Sequence, residues 1–97
     1  MTTKKGYWMA MVDVGDLAGY QQYVAANKAA FDKYGARFIV RGGQGEVLEG
    51  PPASRLVVIE FDSYQTALDC FHSPEYQAAL VLRKQFSTAH FAIVEGV

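Results

Sequence analysis

Arg41 stands directly before three glycines in four positions, Gly42-Gly43-Gln44-Gly45. A guanidinium and a run of unhindered backbone N–H groups could meet there on one anion, because arginine presents a rigid fork of donors that fits a carboxylate. The stretch is not a phosphate loop, since it lacks both the P-loop lysine and the GxGxxG spacing. Its structural alternative is a bulged strand whose arginine pairs with an acid such as Glu49. His72 falls just before Ser73-Pro74, at an element boundary where side chains reach clefts, and an imidazole there could move a proton near neutral pH. A lone surface or capping histidine needs no such role, and a general base needs an orienting partner that spacing does not supply. Asn27 is the polar interruption of an apolar stripe, and a buried amide must find partners. It could face a helix-to-sheet pocket with Tyr20, Tyr23 and Trp8 and orient a substrate, or simply bond to a strand or a helix boundary.

Glu60 closes an apolar strand and is expected to pair with Arg83, Arg55 or Arg41, an ion pair being favoured over catalysis because structural networks also gather such charges. Tyr76 reads as core with its hydroxyl at the edge. His90, opposite in parity to Phe91 and Ile93, could ligate haem only if it lined a large pocket, which a close-packed strand does not promise. Cys70, the one cysteine, sits inside an apolar helical pattern and reads as packing rather than as a nucleophile. With no second cysteine or nearby histidine pair there is no zinc spacing, so neither a metal nor a cofactor is expected.

These residues must be positioned by elements that the sequence marks clearly. Tyr7-Trp8-Met9-Ala10-Met11-Val12, closed by Asp13, reads as a strand. Asp16 is a helix N-cap, and Leu17, Tyr20, Val24, Asn27, Phe31 and Tyr34 then recur at alternating steps of three and four, one face of a single amphipathic helix that Gly35 ends. Phe38-Ile39-Val40-Arg41 begins a second strand, with a bulge or bend expected in the glycine run before Glu46-Val47-Leu48-Glu49. Gly50-Pro51-Pro52-Ala53 is a turn. Arg55-Leu56-Val57-Val58-Ile59-Glu60-Phe61 is a third strand. Asp62 or Ser63 caps a short helix through Ala67, Leu68 and Phe71, and Ser73-Pro74-Glu75 starts another through Tyr76, Leu80 and Arg83. His90-Phe91-Ala92-Ile93-Val94 is the last strand.

The 97 residues amount to one domain, 1–97, of ordinary globular composition, with 51% hydrophobic and 20% charged residues and a mean hydropathy of +0.00. Nine Lys and Arg against ten Asp and Glu give a net charge of −1, so no basic footprint for nucleic acid or an anionic membrane is expected. The apolar stretch after Lys4-Lys5 is too short for a signal peptide, and the mature chain is expected to start at Met1 in the cytoplasm.

Strand, helix, strand, strand, helix, strand is the split βαβ order of the ferredoxin-like α+β fold, with helices on one face of an antiparallel sheet. The exposed face of such a sheet should be polar. Here Leu56 and Val58 oppose Val57, Ile59 and Phe61, and Tyr7, Met9 and Met11 oppose Trp8, Ala10 and Val12, so both faces are apolar. A second copy of the chain is therefore expected on the bare face, two sheets closing a barrel-like homodimer core.

Over nearly its whole length the chain resembles domain-of-unknown-function family 1330. The resemblance rests on Gly6-Tyr7-Trp8, Tyr23-Val24-Ala25-Ala26-Asn27, Tyr34-Gly35 with Phe38 and Arg41-Gly42-Gly43, Glu49-Gly50, Leu56 through Phe61, Ser73-Pro74-Glu75-Tyr76-Gln77 and Val94-Glu95-Gly96. It implies a ferredoxin-like dimeric α/β barrel and implies no activity. Relatives of that fold include cofactor-free monooxygenases, muconolactone isomerase-like enzymes, haem-binding enzymes and ligand-sensing modules, so fold alone does not choose among them. Two functions stay open beside a purely structural homodimer. One is a cofactor-free enzyme acting on a small organic acid or aromatic, with Arg41 holding an anionic group, His72 moving a proton, and Tyr20 and Asn27 orienting the substrate. The other is a ligand-binding or stress-related module without turnover, motivated by the lack of a nucleophile and base at recognisable spacing.

Overall fold

A computed structural model describes residues 3–97. In chain order the elements are β1 (Gly6–Val14), α1 (Leu17–Ala26), α2 (Lys28–Tyr34), β2 (Arg37–Arg41), β3 (Arg55–Phe61), α3 (Tyr64–His72), α4 (Pro74–Phe86) and β4 (Ser87–Glu95). The four strands form one antiparallel sheet in the order β2-β3-β1-β4, with the helices packed on one face, as the split βαβ pattern requires.

Local chemistry sets the helix boundaries. Asp16 accepts from the Gly19 N–H at 3.1 Å and opens α1. Ser63, rather than Asp62, caps α3 through the Thr66 N–H at 3.0 Å, and Ser73 caps α4 through the Tyr76 N–H at 3.2 Å with Pro74 at the first helical position. Gly35 ends α2 in the left-handed region at φ 67°, where glycine carries no Cβ penalty.

Two expectations need correction. The long helix from Leu17 to Tyr34 is split at Asn27 into α1 and α2. Asn27 keeps right-handed backbone angles, its N–H donating to Tyr23 O and its carbonyl accepting from Phe31 N, so the apolar stripe carries through the break. Asparagine is a weak helix former, which suits it to the break. The second correction concerns the bulge. It lies inside β2 at Ile39, because Phe38 pairs with Ile59 while Val40 pairs with Val58. Residues 42–54 form no strand at all. Gly42 and Gly50 adopt positive φ, and Pro51 and Pro52 donate no hydrogen bonds, so the stretch cannot sustain a ladder.

Register sorts the strand residues into rows. On the helix face, Phe38, Ile59, Trp8 and Ile93 form one row across all four strands, and Arg41, Val57, Ala10 and Phe91 form the next. Trp8 anchors the core at 1% exposure, with Phe31, Phe71, Tyr76 and Phe91 rings edge-on to it and its indole N–H donating to Ala67 O at 2.9 Å. On the opposite face the rows are Arg37, Glu60, Tyr7 and Val94, then Val40, Val58, Met9 and Ala92. The second of these is an apolar strip across the full width of the sheet, with Met9 49% exposed.

Candidate functional site

The bulge at Ile39 decides where Arg41 points. With unbroken register from the Phe38–Ile59 pair, Arg41 would stand opposite Leu56 on the outer face. The extra residue sets it opposite Val57 instead, on the helix face. Arg41 there lies over the Phe38 ring, its guanidinium carbon 4.2 Å from the centroid.

Arg41 is one of three arginines around a single cavity between the sheet and the helices. The floor is Val57, Ala10 and Phe91, and the space above it is small, about 40 Å³. Trp8, Phe31 and Phe38 make an aromatic end wall, and Tyr20, Tyr23 and Asn27 project from the helix side. Arg55 enters from the start of β3, with Tyr20 5.9 Å from its guanidinium carbon, and Arg83 enters from α4 over the Phe91 ring at 5.7 Å. Arg83 is only 8% exposed, and the Nε atoms of both Arg55 and Arg83 are buried without a hydrogen-bond partner. Among the described residues no carboxylate forms a salt bridge with Arg41, Arg55 or Arg83, and no acid lines the cavity. Buried cations are ordinarily paired, because the desolvation of an unpaired one costs several kcal/mol.

The tyrosines are neutral donors. Burial raises the Tyr20 phenol, with the Arg55 and Arg83 guanidiniums pulling the other way. Burial and then Tyr76 push the Tyr23 phenol far above its ordinary value, and its hydroxyl lies 2.9 Å from that of Tyr76. Asn27, 7% exposed, stands beside Tyr23 at the α1–α2 break. Such a lining presents guanidinium and phenol donors to an anionic group.

Of the residues singled out by sequence, Tyr20, Asn27 and Arg41 line this cavity together with Trp8 and Tyr23. Glu60 does not. It faces the outer side of the sheet, where Arg37 Nε donates to it at 3.0 Å and the Tyr7 hydroxyl at 3.0 Å, so its partner is Arg37 and none of the three arginines expected. These two hydrogen bonds, Arg37 first, hold its carboxyl below the usual range. His72 ends α3, exposed and edge-on to Phe71, and does not line the cavity. His90 lies on the outer face opposite Met11. Cys70 is fully buried, and burial pushes its thiol up to about 12, which makes it a packing residue. Among the described residues no three His, Cys, Asp or Glu side chains gather as metal ligands, and no helix is long and apolar enough to cross a membrane.

Arg55 and Arg83 were visible in sequence only as partners for Glu60. The missed signal was positional. Arg83 continues the buried Tyr76, Leu80 stripe of α4 by a step of three, and Arg55 shares the parity of Val57 and Ile59, so each is a charge at a core-facing place.

A four-stranded antiparallel sheet with helices on one face and a cavity between the layers defines a ferredoxin-like α+β protein. The chain belongs to the family described as domain of unknown function (DUF1330), whose model matches residues 5–97. Among solved structures it is similar to a protein of unknown function from Rhodopseudomonas palustris, with 15% identity, 97% of this chain and 83% of that chain covered, and a TM-score of 0.75. It is similar to SnoaB, a cofactor-independent oxygenase from Streptomyces nogalater, with 12% identity, 98% and 95% coverage, and a TM-score of 0.65. It is also similar to a dimeric ferredoxin-like protein of unknown function from Thermobifida fusca, with 14% identity, 97% and 92% coverage, and a TM-score of 0.59. These likenesses are of fold. Comparison with curated proteins gives no match.

Proposed function

We propose that this chain takes a small organic acid into the helix-to-sheet cavity, whose space of about 40 Å³ must widen before an aromatic or otherwise apolar body can enter. The observation that carries the reading is the convergence of Arg41, Arg55 and Arg83 on an aromatic-walled cavity that has no acid in its lining. The guanidiniums would neutralise the anionic group, Tyr20 and Asn27 would orient it, and Trp8, Phe31 and Phe38 would hold the body.

The catalytic form of this reading is a cofactor-free enzyme acting on such an acid, and the likeness to SnoaB supports it. The arginines and the Tyr20 phenol would then stabilise negative charge developing on the substrate. A specific observation favours the second reading, a binding module without turnover: neither His72 nor Glu60 lines the cavity, so neither stands as its general base. The same proposal includes a homodimer joined through the apolar strip of the outer face, supported by the dimeric likeness, and the cytoplasmic setting expected from the sequence.

Thermal unfolding in the presence of benzoate and of benzamide tests the ligand class. Benzoate raises the melting temperature and benzamide, of the same shape without charge, does not. Equal shifts would contradict the reading. Oxygen consumption and product formation with any acid that binds then separate enzyme from binding module.

A further inference from the structure

We propose a second anion site, for a phosphoryl group, in the open cleft lined by α1, the end of β2 and the start of β3. This cleft holds about 360 Å³, against about 40 Å³ for the cavity, and Arg41 and Arg55 border both spaces. Register sets the two arginines on one face of the sheet. Arg41 pairs with Val57, two residues from Arg55, so the two are diagonal neighbours across β2 and β3 with backbones about 7–8 Å apart. Like charges so placed repel, yet no acid lines the cleft, and among the described residues no carboxylate forms a salt bridge with either arginine.

The turn between the strands supplies the rest of the site. Gly42 has φ 68°, and a Cβ there would stand 2.7 Å from Arg55 Nη1, so the bare backbone is what lets that guanidinium lie against the turn. Arg55 Nε is buried without a hydrogen-bond partner. Ser54 accepts from the Val14 N–H at 3.1 Å, which engages its oxygen and keeps its hydroxyl proton to donate. Gln21 adds amide donors from the exposed side of α1. Two guanidinium forks, a hydroxyl and an amide offer more donors than the about four lone-pair sites of one carboxylate accept. The three terminal oxygens of a phosphoryl group take them up and span two arginines. Leu17, 67% exposed, makes with Val14 and Val24 an apolar wall of the same cleft, which suits the organic body of a phosphate monoester.

Calorimetric titration of the whole chain with inorganic phosphate and with phenyl phosphate tests this, with benzoate titrated in parallel. Both phosphates are expected to bind, and Ser54→Ala and Gln21→Ala are each expected to weaken them about three- to tenfold, the loss of one hydrogen bond. Arg83→Met alters the cavity and not the cleft, and should keep phosphate affinity within about twofold. Phenyl phosphate binding about tenfold more tightly than inorganic phosphate identifies a monoester held by the apolar wall, and equal affinities identify free phosphate as the occupant. Ser54→Ala also takes an acceptor from Val14, so Gln21→Ala, an exposed change on α1, is the variant that leaves the fold untouched. Binding of neither phosphate, or phosphate binding indifferent to both Ser54→Ala and Gln21→Ala, overturns the proposal, while benzoate binding in the same runs leaves the organic-acid reading standing. Loss of phosphate together with benzoate in Arg83→Met puts both anions in the cavity and overturns the second site.

Discussion

Arg83 is the residue on which the account depends most. A guanidinium at 8% exposure with no carboxylate partner is a burden on the fold that an apolar side chain of similar length would not impose. Arg83→Met should leave the ligand-free protein as stable as wild type, or up to about 2 kcal/mol more stable, while abolishing the thermal shift produced by organic acids. Denaturant unfolding of both proteins without ligand checks this, and a large loss of stability in the variant would mean that Arg83 serves the fold. Tyr23 makes a second residue-scale prediction. Burial first, and then Tyr76, hold its phenol above the ordinary value of 10.0. The unfolded phenol ionises from about pH 10 upward while the folded one does not, so its contribution to stability is present below that pH and is lost as pH rises through it. Tyr23→Phe should cost about 1–3 kcal/mol at neutral pH, since Tyr76 loses its hydroxyl partner, and should flatten the alkaline fall by about one proton. Unfolding followed from about pH 9 to about pH 11 reads both effects. At this scale the sequence was partly legible. Asn27 announced itself as a polar group on an apolar stripe, whereas His72 looked eligible only because an element boundary does not say which way a side chain points.

The element scale is where a single residue redirects the site. Ile39 is one more residue in β2 than its partner β3 can pair, and that excess turns Arg41 from the outer face to the cavity. Deleting Ile39 removes the excess residue and leaves Val40 opposite Val58 and Arg41 opposite Val57, still on the helix face. The variant should keep its fold by circular dichroism and its affinity for benzoate within about threefold, with Arg41 still facing the cavity. A loss of about tenfold would mean that the bulge itself, and not the face it gives Arg41, serves the site. The sequence showed that β2 ends irregularly but placed the irregularity in the glycines, since glycine is the ordinary mark of a bulge and Ile39 in a β-branched run carries no mark at all. Capping was more legible, because Asp16, Ser73 and Gly35 act through bonds within one turn of themselves. The split at Asn27 was hidden by the same periodicity that revealed the helix, which continues through it.

For the molecule as a whole, strand parity carried the most information. Both faces of the sheet read as apolar before any contact was known, and the outer face does present Val40, Val58, Met9 and Ala92 as one row beside the charged row of Arg37, Glu60 and Tyr7. The proposed homodimer covers that row, since a strip of this kind is costly to leave in water. What parity could not show was that Arg55 on a strand and Arg83 on a helix come to the same cavity, because their meeting depends on how α4 lies across the sheet. The most direct test of the account is native mass spectrometry of the wild-type protein and Arg83→Met, each equilibrated with benzoate. The account predicts a complex of two 10.7 kDa chains in both proteins, with the acid retained only by wild type. Equal retention by the two proteins, or no retention by either, would contradict it.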